Sequence, residues 1–134
     1  MPKGPQRTRQ TGLIGYWQDA NSPGWPTPEV FVDADWSVEE RDGVAAYLGA
    51  GRGWRHFMGK STCRICRQPN GSSELTDGDW VWPEGLAHYV AQHAVRLPDE
   101  FVRHAPREKL PNHRRLPRDR ETDTSWWKAQ VPRP

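Results

Sequence analysis

Apolar residues recur at helical spacing in two places along the chain, and elsewhere they fall into short runs bounded by turn residues. Val44, Tyr47 and Leu48 stand three and four positions apart, which marks one face of a helix. Ser37-Val38-Glu39-Glu40, just upstream, reads as a capping box with Ser37 as N-cap and two acids in the first turn. Gly49 supplies the stop, so the pattern predicts a helix over 38–48. Leu86, Tyr89, Val90 and Ala94 form the second stripe. Pro83 suits a first helical position and Glu84 a first turn, which predicts a helix over 83–94. Leu97 to Val102 predicts a further short helix starting at Pro98.

The bounded runs read as extended chain. Gly12 to Trp17 and Glu29 to Asp33 are two such segments. Ser73-Glu74-Leu75 and Trp80-Val81-Trp82 make two more, and the turn residues Thr76 to Asp79 between them predict a hairpin. Asp19 to Pro28 holds three prolines and a glycine in ten residues, so it is loop, with Trp25 available to pin it to a core. Gly49 to Gly53 is a flexible connection. It lacks the GK[ST] end that a phosphate loop requires. The stretch before Gly12 and the stretch after His104 are polar and Pro-interrupted. They are expected to be tails over 1–11 and 105–134, flanking one small α+β domain over 12–104.

A length of 134 residues fits one domain. Mean hydropathy of −0.95 and 34% hydrophobic residues leave a thin core. Eight Trp argue against wholesale disorder, because disordered chains are poor in aromatics. No apolar run is long enough to span a bilayer, and the first residues lack the apolar stretch of a secretory signal. The expectation is a cytoplasmic protein with reduced thiols and no membrane partner.

The chemistry lies in Cys63-x2-Cys66 followed, after 21 residues, by His88-x4-His93. Two thiolates on a tight turn share one metal, and two imidazoles near each other on a short helix complete a tetrahedral set. Five helical residues rotate by about 140°, so His93 faces inward only if the last turn loosens. Soft sulfur with imidazole nitrogen selects zinc, and four protein ligands fill the shell, which makes the ion structural. The order resembles that of Cys2His2 zinc fingers over residues 63–93, although the finger pattern has about 12 residues between the pairs. The resemblance implies a zinc-bound hairpin plus helix but not a tandem DNA-reading finger.

Other readings of the same residues are weaker. A redox CxxC needs a helix after the pair, and Pro69-Asn70-Gly71 breaks it. A deaminase site needs His-x-Glu ahead of Pro-Cys-x-x-Cys, and neither that order nor the Glu is present. His56 is the one further histidine close enough in sequence to replace a ligand. His104 and His113 are expected in solvent, and Asp77 and Asp79 are expected to serve their turn.

Net charge is +2, but residues 51–72 carry Arg52, Arg55, Lys60, Arg64 and Arg67 without an acid. Arg52, Arg55, Arg64 and Arg67 around Trp54 form a pattern that grips phosphates and stacks a base. The competing reading is neutralisation of the acidic blocks on either side. The 15 Arg against 4 Lys suit bidentate contacts and also follow from a GC-rich genome. Trp126-Trp127 stands at the end of an Arg-rich stretch containing Arg107, Lys109, Arg114, Arg115, Arg118 and Arg120, and is read as a partner anchor on a flexible tether. The expected function is a non-enzymatic, structural-zinc binding module acting on a protein partner. The alternatives are a nucleic-acid-binding zinc protein and a small enzyme without a recognisable motif.

Overall fold

A computed structural model describes residues 11–56, 59–105 and 116–130. Residues 1–10 of the expected N-terminal tail, with His113, Arg107, Lys109, Arg114 and Arg115, lie outside them, whereas Thr11, expected in that tail, is buried at the start of the first strand. The described chain forms a mixed sheet of five strands with helices and is α+β, as the pattern implies.

The strands are β1 (Thr11–Leu13), β2 (Arg52–His56), β3 (Ser73–Thr76), β4 (Trp80–Pro83) and β5 (Thr122–Asp123), in the order β2-β3-β4-β1-β5. β3 and β4 make the expected antiparallel hairpin, with Leu75 opposite Trp82. Its turn is built by side chains. Asp77 Oδ1 accepts from the Asp79 and Trp80 N–H groups at 2.9 and 2.8 Å, and Gly78 takes a φ of +96°, where a side chain would be strained. β1 runs parallel to both β4 and β5. A Cβ at Gly12 would lie 2.7 Å from the Trp80 ring, so glycine is what lets β1 sit beside that indole.

α1 (Val38–Gly49) forms as expected, and the Ser37 hydroxyl accepts from the Glu40 N–H at 3.3 Å. The Glu40 carboxylate turns to the Trp36 indole N–H at 2.5 Å. α1 buries Val44, Tyr47 and Leu48. The Trp82 indole donates to the Leu48 carbonyl at 3.1 Å and fixes the end of the helix over β4. α3 (Asp99–His104) begins after Pro98, as expected, and Phe101 reaches the rings of Trp80, Trp82 and Tyr47.

Three expectations differ from the structure. Glu29 to Asp33 is not a strand: Pro28–Phe31 is a 3-10 helix with Pro28 in its first turn. Proline presets that backbone and has no N–H for a ladder. Only the end of the segment pairs, Val32 with Val95. Second, Pro83 closes β4 instead of opening a helix, and α2 covers Leu86–His93. Third, described residues beyond 104 are packed onto the domain. Trp54 and Arg55 donate to the carbonyls of Pro117 and Arg118, β5 joins the sheet, and α4 (Ser125–Lys128) follows. Trp127 is fully buried, stacks on Phe31 at 5.2 Å and 17°, and donates its indole N–H to the Tyr16 carbonyl at 2.6 Å. Trp126 sets its ring edge-on to Trp80 at 4.8 Å. The pair is therefore docked on its own domain and not held out for a partner. Burying an indole removes a large apolar area from water, which offsets the cost of ordering a polar segment.

Candidate metal centre

Cys63-Arg64-Ile65-Cys66 forms a knuckle. Arg67 N–H donates to the Cys63 carbonyl at 2.8 Å, Cys63 N–H donates to the Gln68 carbonyl at 2.9 Å, and Thr62 bridges Pro69. Arg67 closes the turn with a φ of +68°, a left-handed conformation that costs roughly 1–2 kcal/mol for a side-chain-bearing residue. The N–H groups of Ile65 and Cys66 point at Cys63 Sγ, at 3.4 and 3.5 Å.

α2 brings the histidines. Its start is pressed onto the chain just beyond the knuckle: a Cβ at Gly85 would lie 2.3 Å from Asn70 Cγ and 2.4 Å from the Asn70 carbonyl. Glu84 Oε1 accepts the N–H groups of Ser72 and Ser73 at 3.0 and 3.1 Å. Knuckle and helix are thus joined twice, by close approach and by a carboxylate clamp. At the other end Ala94 takes a φ of +52° and its N–H reaches back five residues to the Tyr89 carbonyl. That bond widens the last turn, which is the loosening that a five-residue histidine spacing requires.

The ligand atoms of Cys63, Cys66, His88 and His93 all lie within 4.8 Å of one another. Cys66 Sγ is 3.3 Å from His88 Nε2, and the two imidazole rings are 5.1 Å apart. His93 Nε2 is buried and has no hydrogen-bond partner. Buried polar atoms are nearly always paired, so a nitrogen left bare beside two thiols and an imidazole fits a metal ion. Burial and the neighbouring His88 push the His93 imidazole below its ordinary range, towards the neutral form that ligates. Burial raises the Cys63 thiol. The N–H groups of Cys66 and Ile65, together with the Cys66 and Tyr89 side chains, more than offset this and hold it below the ordinary thiol range.

Tyr89 is the residue whose role the sequence conceals. It belongs to the buried stripe, 4% exposed, yet its hydroxyl accepts from the Arg64 N–H at 2.8 Å and donates to Cys63. Burial, with the nearby Cys63, pushes its hydroxyl up to about 12, so it stays a donor. Groups of this kind orient metal ligands.

The other candidates are placed elsewhere. His56 is exposed, and its Nδ1 meets Ser73 Oγ at 2.6 Å. His104 is half-buried rather than free in solvent: its Nε2 meets Asp77 Oδ2 at 2.7 Å, where Asp77 is 1% exposed. Asp77, Asp79 and His104 form a second group with metal-like spacing. Of the arginines, Arg55 lies over the Trp54 ring at 3.8 Å and is bound to Arg118, and Arg64 donates to the Gln18 carbonyl. Arg52 and Arg67 are exposed. Trp54 is 5% exposed with its indole committed to Pro117, so it offers no stacking face to a base.

Among the described residues no helix is long and apolar enough to cross a membrane. Comparison with protein-family models, with curated proteins and with solved structures found no match.

Proposed function

We propose that this chain is a non-enzymatic binding module whose fold is held by one structural zinc on Cys63, Cys66, His88 and His93, and that it acts on a protein partner. The observation that carries this reading is the convergence of ligand atoms of Cys63, Cys66, His88 and His93 within 4.8 Å of one another, with His93 Nε2 buried and without a hydrogen-bond partner. Two thiolates and two imidazoles in tetrahedral number suit zinc and leave no open position for substrate or activated water. The ion ties the knuckle to α2 and contributes folding free energy directly. A protein partner is favoured over nucleic acid because Trp54 faces inward and because Arg55 and Arg64 are engaged within the chain.

The test is metal analysis on untagged protein, coupled to capture from the source lysate. One zinc per chain is expected, together with a partner that survives nuclease and moderate salt. Well under one zinc would overturn the structural-metal reading. Capture abolished by nuclease and falling steeply with salt would move the function to nucleic acid.

A further inference from the structure

The face of the knuckle opens on a cleft of about 640 Å³ whose walls include Tyr16, Trp25, Glu74, Leu86 and Tyr89. That volume lies within the range of small-molecule sites, roughly 300–1,000 Å³. Tyr16 and Trp25 present rings 5.5 Å apart at 77° to each other, so two aromatic surfaces meet nearly at a right angle. Trp25 is half-buried, on the Pro-rich loop.

Glu74 is 8% exposed. One carboxylate oxygen, Oε2, takes the Tyr16 hydroxyl. The other, Oε1, is buried and accepts no hydrogen bond. Arg55 forms an ion pair with it, Nη1 at 3.8 Å, beyond hydrogen-bond reach, while Arg55 Nε and Nη2 donate to the Arg118 carbonyl. The remaining charges of the cleft are differently placed. Glu84 is committed to two backbone N–H groups, Arg64 to the Gln18 carbonyl, and Asp19 to the Asn21 N–H. Lys60 is exposed at the wall. The walls of the cleft therefore include a carboxylate that is ion-paired to Arg55 on one side and has one buried oxygen accepting no hydrogen bond, beside two aromatic rings.

A buried acceptor left unmet costs about 1–3 kcal/mol, more when charged, and the group that meets it must donate. Aromatic faces beside a carboxylate attract positive charge through the ring quadrupole. One carboxylate oxygen is too few ligands for a metal ion, and an anion would be repelled by it. We propose that this cleft binds an organic cation, an alkylammonium or guanidinium group that donates to Glu74 Oε1 and lies against Tyr16 and Trp25. The cation is either a free small molecule or a Lys or Arg side chain of a partner. This gives the binding module a ligand class, and it rests on that reading.

The test uses the full, metal-loaded chain, with zinc content measured on the same sample. Probes are n-butylammonium and ethylguanidinium as free cations, and capped Ala-Lys-Ala and Ala-Arg-Ala as side-chain cations. n-Butanol, butyrate and capped Ala-Ala-Ala serve as controls. The readout is the shift of the Trp25 indole N–H resonance during titration. Saturable shifts with cations and none with the controls are expected. Binding by the free cations points to a metabolite, and binding confined to the peptides points to a protein partner. Glu74→Gln keeps the shape and is expected to weaken binding at least about tenfold. Trp25→Leu, on the surface loop, gives a second loss that does not depend on tolerance at position 74, with binding then followed by isothermal calorimetry. No saturable shift with any cation, equal shifts with butanol, or unchanged affinity in Glu74→Gln would overturn the proposal. Full zinc occupancy in that case would leave the structural-zinc reading standing, while cation binding by a zinc-free chain would sink that reading and keep this one.

Discussion

Two groups of side chains in this molecule satisfy the spacing of a metal site, and they differ in what their atoms still lack. At the knuckle, His93 Nε2 is buried with no partner, Cys63 Sγ has two long backbone donors and the Tyr89 hydroxyl, and Cys66 Sγ meets the His88 imidazole at 3.3 Å. At the hairpin turn, Asp77 accepts from Tyr47 at 2.6 Å, from His104 at 2.7 Å and from two backbone N–H groups. The first group is incomplete without an ion. The second is already closed by hydrogen bonds and holds α1, the β3–β4 turn and α3 together. Unmet bonding capacity, more than convergence of ligand atoms, separates a metal centre from a polar staple.

The largest effect that could break this contrast is loss of the metal. Cys63→Ser or Cys66→Ser, or exhaustive chelation, should unfold the domain, because structural zinc supplies on the order of 10 kcal/mol. Circular dichroism of the zinc-free protein checks this, and a native-like spectrum would make the ion dispensable. His93→Ala should be milder than His88→Ala, since water replaces a ligand most readily at the helix end.

Asp77→Ala is the matching cut at the other group. It should cost about 4 kcal/mol while leaving one zinc per chain, as read by denaturant melts and metal analysis. Zinc loss in this variant at low denaturant would show that the two groups are coupled. Leu86→Ala removes packing under the helix that bears both histidines. Leu86 is 1% exposed, so a loss of about 3 kcal/mol is expected, again with zinc retained in the folded state.

Acid separates the groups by pH. Burial pushes the Asp77 carboxyl up, but the bonds from His104, Tyr47 and the Asp79 N–H hold it below the ordinary range. Its contribution is therefore present above the unfolded value of about 3.9 and lost as pH falls through the lower folded value. Protons compete with the ion for its ligands at higher pH than this but below the free imidazole value of about 6.5, because a bound metal, and at His93 also burial beside His88, favours the unprotonated ring. Zinc release and the change in tryptophan emission should coincide there, well above the Asp77 window. Cooperative unfolding delayed until about pH 3–4 would mean that the hairpin group dominates stability. The smallest effect is expected at Ala94, whose φ of +52° favours glycine. Ala94→Gly trades about 1–2 kcal/mol of strain against about 0.8 for the buried methyl. The expected gain is about 0.5 kcal/mol, read as a small rise in melting temperature.

What the sequence discloses follows the range over which each signal acts. The four candidate ligands, α1 and the hairpin rest on local spacing and turn chemistry, and the structure brings them together as expected. The Asp77–His104 contact has no such signature: the partners are 27 residues apart and belong to different elements, so each residue alone read as a turn acid or a solvated histidine. Pro28 misled in another way, since an apolar Val-Phe-Val run suggests a strand until proline forbids the ladder. The segment after 116 carries no periodicity. Its order comes from single anchors, the buried Leu116 and Trp127 packed on Trp17 and Phe31, with the Trp54 indole bound to the Pro117 carbonyl, and a one-dimensional pattern does not encode such sockets.

The parallel pairing of Thr11 with Thr122 bears on how the protein is born. During synthesis the metal ligands are complete once His93 has emerged, so the knuckle and α2 can capture their ion early. The sheet cannot: β1 waits, with one flank bare, for a strand made more than a hundred residues later. The loop to be closed is long, although its entropic cost grows only slowly with length. A ribosome-bound chain stalled after His93 has emerged but short of Trp127 would therefore carry a loaded metal centre beside an open groove at Phe31 and Trp17, the interval in which a chaperone has most to shield.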